Sequence, residues 1–357
     1  MAKILMKGAE AIAEAAIEAG CQAYFGYPIT PQNEVPEYFA KRMPKLGRTF
    51  LQAESELASI NMVYGAASAG VRVMTSSSSP GIALMQEGIS YLAASRLPCV
   101  IANFMRGGPG LGGIQPSQAD YFQATRGGGN GDYYLVVYAP ATLQEMCDLT
   151  KEAFDVAEQY RLPVMILADG TLGQMMEPVE LGNYVPRTKA DMTWAATGFQ
   201  GGKPRSIINS LYIQPEELEE RCLAMFDTYR KIQAHEIRVE EFHVEGAQLI
   251  VGAYGTMARI VKSVIMQLDQ AGGPKVGLVR PITLWPFPQE AFAKAAAQES
   301  VQAVLSVEMS MGQMVEDIRL AVNGRKPVSF FGRTGGMIPT AKEVREQILA
   351  LCNGGKE

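Results

Sequence analysis

Arg106 is followed directly by Gly107-Gly108-Pro109-Gly110-Leu111-Gly112-Gly113, and this juxtaposition could do chemistry. An apolar run over 99–105 predicts a strand that delivers Arg106 to its tip, where open parallel sheets bind ligands. A guanidinium is a planar fork of donors that matches a carboxylate in two-point contact, and flanking glycines let a small acid approach the backbone. The alternative is an ordinary surface arginine paired with a loop acid. The glycines also satisfy G-x-G-x-x-G, the dinucleotide fingerprint. That fingerprint needs an unbroken helix after its third glycine, but Pro116 follows Gly113 by three residues, and Asp132 precedes its strand instead of ending it. The run is therefore read as a flexible active-site loop, with a nicotinamide-dependent dehydrogenase as the rival.

Three further groups stand at predicted strand ends. Thr30 lies in Tyr27-Pro28-Ile29-Thr30-Pro31, where two prolines restrict the backbone and make the hydroxyl a candidate fixed donor, or simply a turn residue. Glu54 and Glu56 sit at a strand-to-helix junction beside Leu57, Ala58, Ile60 and Met62. A carboxyl sunk among such groups has its charged form disfavoured and can hold or pass a proton near neutrality. Glutamates at a helix start can equally serve only the helix dipole. Ser76-Ser77-Ser78-Ser79-Pro80-Gly81 opens the next helix and offers either an anion cradle or capping groups. No histidine lies near them and no G-x-S-x-G elbow exists, which leaves a serine-hydrolase triad without support.

The elements that must position these groups alternate in period. Helical spacing over 7–19, 56–69, 81–94 and 143–159 alternates with short apolar runs over 22–26, 49–52, 71–75, 99–105, 133–137 and 163–167, the pattern of a parallel α/β sheet. Residues 183–204 lack periodicity and lead into a long amphipathic helix predicted over 215–241, with Pro215 in its first turn. A second α/β unit follows, with strands over 248–253, 276–279, 301–307 and 328–331 and helices over 258–268, 288–297 and 340–351. The reading divides the chain at 1–185, 186–244 and 245–357.

Length and composition exclude several classes. With 357 residues, the chain suggests two or three domains at about 150 residues each. Charged residues make up 19%, below the usual figure of about 25%, which suggests that partners cover part of the surface. A net charge of −5 argues against nucleic acid as a partner. The five cysteines are scattered without a C-x-x-C pair and the only histidines are His235 and His243, which leaves no spacing for a zinc or iron-sulfur site. No apolar leader and no run of 18 apolar residues is present, so the expected location is cytoplasmic, without membrane spanning.

Taken in order, Gly26-Tyr27-Pro28-Ile29-Thr30-Pro31, Gln52-Ala53-Glu54-Ser55-Glu56 with Gly65 and Ala69-Gly70, and Arg106-Gly107-Gly108-Pro109 resemble the alpha subunit of 2-oxoacid:ferredoxin oxidoreductases. The likeness runs on through Gln115-Pro116-Ser117-Gln118-Ala119-Asp120, Gly129-Asn130-Gly131-Asp132, Met175-Met176-Glu177-Pro178, Arg280-Pro281-Ile282-Thr283-Leu284-Trp285-Pro286 and Glu308-Met309-Ser310-Met311-Gly312-Gln313, nearly the whole chain. Tyr27-Pro-Ile-Thr-Pro-Gln-Asn and Gln86-Glu-Gly-Ile-Ser-Tyr are most similar to the branched-chain type, which acts on 3-methyl-2-oxobutanoate (2-ketoisovalerate); the 2-oxoglutarate type is the alternative. Ala9 departs from that branch, which tends to have Asn there.

The resemblance implies an α/β fold: a parallel-sheet, thiamine diphosphate-binding pyrimidine domain followed by a smaller transketolase C-terminal-like domain. It implies that Glu56, by its spacing to Gly65 and Gly70, is the catalytic and cofactor-binding carboxylate facing the aminopyrimidine, and that Thr30 and Arg106 bind the substrate. Coenzyme A is the implied co-substrate and ferredoxin the electron acceptor. The chain has no Gly-Asp-Gly followed by asparagine, the usual magnesium-diphosphate signature, and no cluster cysteines. Thiamine diphosphate would then be shared with a beta subunit that supplies the diphosphate half, Mg2+ and an iron-sulfur cluster, alongside gamma and ferredoxin-like delta subunits. A non-catalytic scaffold subunit is the remaining rival.

Overall fold

The computed structural model describes residues 3–354, apart from 183, 188–190, 200, 202 and 203. Part of the 183–204 linker thus lies outside the described residues. Up to residue 179 the elements are β1 (Ile4–Lys7), α1 (Gly8–Glu18), β2 (Ala23–Gly26), α2 (Glu34–Arg42), β3 (Thr49–Gln52), α3 (Glu56–Ser68), β4 (Val73–Ser77), α4 (Ser79–Ala94), β5 (Cys99–Met105), α5 (Tyr121–Arg126), β6 (Val136–Tyr138), α6 (Leu143–Tyr160), β7 (Pro163–Asp169), α7 (Gly170–Gln174) and β8 (Met176–Val179). The remainder contributes α8 (Pro215–His235), β9 (Val239–Phe242), β10 (Leu249–Gly252), α9 (Gly255–Gln270), β11 (Val276–Pro281), β12 (Thr283–Trp285), α10 (Gln289–Ala296), β13 (Ala303–Glu308), α11 (Met314–Val322), β14 (Val328–Gly332) and α12 (Ala341–Cys352).

The first sheet has seven strands in the order β12-β6-β7-β5-β4-β2-β3, all parallel except β12. Every residue of β5 and β7 is buried, which is why Cys-Val-Ile-Ala-Asn-Phe-Met and Pro-Val-Met-Ile-Leu-Ala-Asp read as continuous runs without alternation. Alanine-rich α1 packs against α6, and α3 packs against α4. Gly8 opens α1 where a Cβ would stand 1.9 Å from the Leu172 carbonyl oxygen, and Ala9 beside it is fully buried in the core. The second sheet has the order β14-β13-β10-β11-β9, parallel except for β9.

Several boundaries differ from the sequence reading: helices Glu34–Arg42 and Met314–Val322 are absent from it, the strand read over 133–137 is Val136–Tyr138, and three further differences shape the sheets. The long helix stops at His235, six residues before the predicted end, because Val239–Phe242 turns back to pair antiparallel with β11. Buried Glu236 fixes the turn by accepting from Tyr160 Oη at 2.9 Å. The strand predicted over 71–75 instead runs from Val73 to Ser77, so Ser76 and Ser77 pair with Ala102 and Asn103 inside the sheet. Thr283–Trp285 leaves the second sheet and lies antiparallel on β6.

The two sheets are tied together by polar contacts. Gln118 is fully buried, donates through Nε2 to the Tyr254 carbonyl at 2.9 Å, and accepts through Oε1 from Met309 N at 3.0 Å. Arg280 forms a two-point pair with Glu145 at 2.9 and 2.8 Å. Among the described residues no helix is long and apolar enough to cross a membrane.

Candidate active site

The C-terminal ends of β2, β3, β4 and β5 point the same way because those strands are parallel, and the connections leaving them carry the predicted groups. The start of α4 is where they meet. Ser79, its first residue, accepts from Arg106 N at 3.0 Å and donates to the Arg106 carbonyl at 3.2 Å. Two residues further on, the place of a Gly81 side chain is taken: a Cβ there would lie 2.0 Å from Ser77 Oγ and 2.6 Å from Glu56 Oε1.

Glu56 is the first residue of α3 and is only 6% exposed, while Glu54, two residues earlier, is exposed. The difference follows from local geometry. Ser55 caps the helix by accepting from Ala58 N at 3.1 Å, and this sets the turn that aims Glu56 inward. Fully buried Ser77 Oγ and Ser78 Oγ have no hydrogen-bond partner, so unspent polar capacity lies in the strand-to-helix connection beside Glu56. Behind them Tyr24 Oη donates to Ser76 Oγ at 2.7 Å, and Ser76 donates to Gln32 Oε1 at 2.6 Å.

Arg106 is 7% exposed and its guanidinium is held between two loops. Nη1 donates to the Thr30 carbonyl at 2.8 Å and Nη2 to the Leu111 carbonyl at 3.1 Å, while buried Nε has no partner. The structure thus brings Thr30 and Arg106 together, through the threonine's carbonyl; the Thr30 residue itself is exposed. The glycine loop closes on itself through Gly107 N to Gln115 O at 2.9 Å and Gly113 N to Gly107 O at 2.8 Å. No helix begins after it until Tyr121. Gly107 abuts the second α/β unit, since a Cβ there would stand 3.1 Å from Gly336 N. A cleft of about 450 Å³ opens beside this arrangement, lined by Thr30, Pro31, Asn33, Glu34, Glu37, Ile114, Gln115 and Gln174.

Two carboxyls, half-buried Asp120 and buried Asp169, flank the site at the same end of the sheet. Burial raises the Asp120 pKa, although Asn103 Nδ2 donates to it at 2.9 Å. Asp169, at the end of β7, is likewise raised by burial, against donors that include Thr171 N at 3.0 Å and Thr256 N at 3.3 Å. Ser79 and Gly81 stood in the run read as an anion cradle or capping groups, without their contacts to Arg106 and Glu56, while Asp120 and Asp169 were given no role in the site. The fingerprint glycines drew attention to the loop alone, and only strand-end position could have flagged the rest.

Comparison with known proteins decides the family. Residues 14–238 match the thiamine diphosphate-binding region of pyruvate flavodoxin/ferredoxin oxidoreductases, and residues 247–344 match core domain II of pyruvate:ferredoxin oxidoreductase. Ketoisovalerate oxidoreductase subunit VorB of Methanothermobacter marburgensis is 47% identical over 352 residues, covering 99% of both chains. The chain belongs to the 2-oxoacid:ferredoxin oxidoreductase family, as an alpha-type subunit. A solved 2-oxoglutarate:ferredoxin oxidoreductase from Magnetococcus marinus, with 2-oxoglutarate, coenzyme A and succinyl-CoA bound, superimposes with a TM-score of 0.82 at 26% identity. The match covers 97% of this chain, which spans 64% of that solved chain's length. A split-gene transketolase, solved as an inactive beta4 tetramer, has a TM-score of 0.61 at 16% identity and shares the fold, covering 98% of this chain. The expected α/β architecture of thiamine diphosphate enzymes is therefore the one observed.

Proposed function

We propose that this chain is the alpha subunit of a cytoplasmic enzyme that converts 3-methyl-2-oxobutanoate and coenzyme A to acyl-CoA and CO2, passing two electrons singly to ferredoxin. The observation that carries the reading is the placement of Glu56. It is the acid of the Glu54/Glu56 pair that is buried, at a helix start and against Gly81, at the sheet edge that also carries Arg106.

The residues fit one half of a thiamine diphosphate site. Gly81, having no side chain, leaves to Glu56 and Ser77 the space they occupy, Ser77 and Ser78 keep unpaired hydroxyls, and Glu56 would offer a carboxyl to the aminopyrimidine ring nitrogen. When bound, thiamine diphosphate supplies a carbon nucleophile for the 2-oxoacid carbonyl and an acceptor for the electron pair left when CO2 departs. Glu56 holds the proton that the ring nitrogen needs, and burial keeps water from competing for it. Arg106 takes the substrate carboxylate, its guanidinium preset by Thr30 and Leu111.

The other half of the site belongs to a beta subunit with the Mg2+ and an iron-sulfur cluster, and gamma and delta subunits complete the route to ferredoxin. One feature supports this division. Leu57 on α3 and Leu84 and Tyr91 on α4 are exposed on the helices whose N-termini hold Glu56 and Gly81, an apolar surface suited to a partner. The segments 1–185, 186–244 and 245–357 serve as pyrimidine domain, linker with amphipathic helix, and transketolase C-terminal-like domain.

Glu56→Gln in the assembled complex tests the reading. Exchange of the thiazolium C2 proton is expected to slow about a hundredfold or more while assembly persists, with Glu54→Gln near wild type. Equal slowing by both variants, or slowing by Glu54→Gln alone, overturns the assignment of Glu56.

A further inference from the structure

We propose that Gln118 and Gln313 are positioning residues for Arg106: they pin the segment after the glycine loop to the second α/β unit and so fix the loop that presets the guanidinium. The inference rests on the reading that Arg106 takes the 2-oxoacid carboxylate. The preset depends on Leu111, whose carbonyl accepts from Arg106 Nη2 at 3.1 Å. Packing does not place this carbonyl, because the Leu111 side chain is 80% exposed. Its neighbours Gly110 and Gly112, at φ +67° and +59°, have no side chains to anchor the turn. The loop must be held from its ends. Its return leg lies along the tip of β5, where Gly107 N donates to Gln115 O at 2.9 Å and Arg106 pairs with Pro116 in an antiparallel bridge.

Beyond Pro116 the chain is gripped from the second unit. Fully buried Gln118 spends its whole side chain there, donating to the Tyr254 carbonyl at 2.9 Å and accepting from Met309 N at 3.0 Å. Its own N–H donates to the Met309 carbonyl at 2.8 Å. Gln313 reaches back across the start of α5: Nε2 donates to the Ala119 carbonyl at 2.7 Å and Oε1 accepts from Phe122 N at 2.8 Å. Both anchors are stiff because of Glu308, which is fully buried. Its carboxylate accepts from the hydroxyls of Ser306 and Ser310 at 2.8 and 2.9 Å, and from the N–H groups of Gln313, Met314 and Val315 at 2.9, 3.1 and 2.9 Å. An internal anion thus satisfies the free donors at the start of α11 and holds Met309 and Gln313 on either side of it. Between the contacts of the two glutamines, Asp120 accepts from Asn103 Nδ2 of β5 at 2.9 Å. The segment is clamped between the tip of β5 and the second unit, so a unit that carries neither Glu56 nor Arg106 sets the geometry of the substrate arginine.

The test follows 3-methyl-2-oxobutanoate turnover by the assembled complex, comparing wild type with Gln118→Met and Gln313→Met, each alone and combined with Arg106→Lys. Methionine keeps the length and volume of glutamine and removes its hydrogen bonds. KM is expected to rise about tenfold in Gln118→Met and about threefold in Gln313→Met, the scale of one or two lost hydrogen bonds. Values of kcat and of thiazolium C2 exchange, which report on Glu56, should stay near wild type. Because the glutamines act through Arg106, their effect on KM should vanish in the Arg106→Lys background, where a merely structural loss would add to it. Half-buried Gln313 carries the test where Gln118→Met does not assemble. An unmoved KM, additive losses, or a parallel fall in kcat and C2 exchange overturns the proposal and leaves the assignment of Arg106 standing, provided that Arg106→Lys alone impairs use of the 2-oxoacid. Unchanged kinetics in Arg106→Lys alone removes the reading of Arg106, and this proposal with it.

Discussion

Glu56 and Gly81 share a space that only one side chain can fill: a Cβ at Gly81 would stand 2.6 Å from Glu56 Oε1 and 2.9 Å from its Cγ. The obstructing atoms belong to the Glu56 side chain and the Ser77 hydroxyl, so they can move without shifting backbone. Gly81→Ala is therefore expected to cost about 1–3 kcal/mol of stability at most, since overpacking here is relieved by side-chain rotation. Its main effect should be a misdirected Glu56 carboxyl, seen as slowed thiazolium C2 exchange in a complex that still assembles. Wild-type exchange in an assembled Gly81→Ala complex would show that the position of Glu56 is not set by this contact.

Arg106→Lys should separate binding from cofactor chemistry. The guanidinium spans two carbonyls on different loops, Thr30 at 2.8 Å and Leu111 at 3.1 Å, and an ammonium has no planar fork with which to hold both. Losing a charge-assisted hydrogen bond costs about 1.5–3 kcal/mol, or roughly a ten- to hundredfold fall in kcat/KM for the 2-oxoacid. C2 exchange should remain near wild type. Unchanged steady-state kinetics would return Arg106 to a purely structural role.

The sequence made the site's ends legible and left its middle hidden. Arg106 at a strand tip and Glu56 at a helix start follow from period and polarity, because a strand or a helix announces itself within a few residues. Continuous apolar runs marked β5 closely for the same reason. Gly81 and Ser79 were visible only as part of a serine-rich helix start, because their roles come from contacts with Glu56 and Arg106, 25 and 27 positions away, that exist only once the parallel sheet has formed. The crossing of Thr283–Trp285 onto β6 was hidden too, since three residues carry too little pattern to name their sheet. The helix that ends at His235 was overrun because Val239 and Phe242 stand three apart, a helical spacing, whereas a strand puts them on opposite faces.

The cysteines offer a direct check on burial. Cys21, Cys99 and Cys147 are buried, and burial pushes the thiols of Cys21 and Cys147 up to about 12 and that of Cys99 higher still. The thiolate is the reactive form, so these three should resist alkylation at pH 8. Cys222, which is partly exposed, should be modified in the folded chain, Cys352 more slowly because burial raises its thiol too, and all five after denaturation. Mass spectrometry of iodoacetamide-treated chain reads the outcome. Modification of Cys99 before unfolding would contradict the packing of β5.

Asp169 joins the two α/β units and should give their union a pH dependence of definite sign. Its carboxyl accepts from Thr171 N at 3.0 Å and Leu172 N at 3.2 Å on its own side and from Thr256 N at 3.3 Å across the boundary. Burial outweighs these donors and raises its pKa, so the folded chain binds this proton more readily than the unfolded chain, whose Asp titrates near 3.9. The linked stability is fully present below that unfolded value and is lost as pH rises through the folded one. Asp169→Asn abolishes the titration and turns an amide toward one of the backbone donors, which at fixed pH should cost about 1–3 kcal/mol. The gap in denaturation midpoint between wild type and variant should therefore be widest in acid and narrow on going to neutral pH. A constant gap would mean that Asp169 is ionised as readily in the folded chain as in the unfolded one, and a gap that widens with pH that it is ionised more readily.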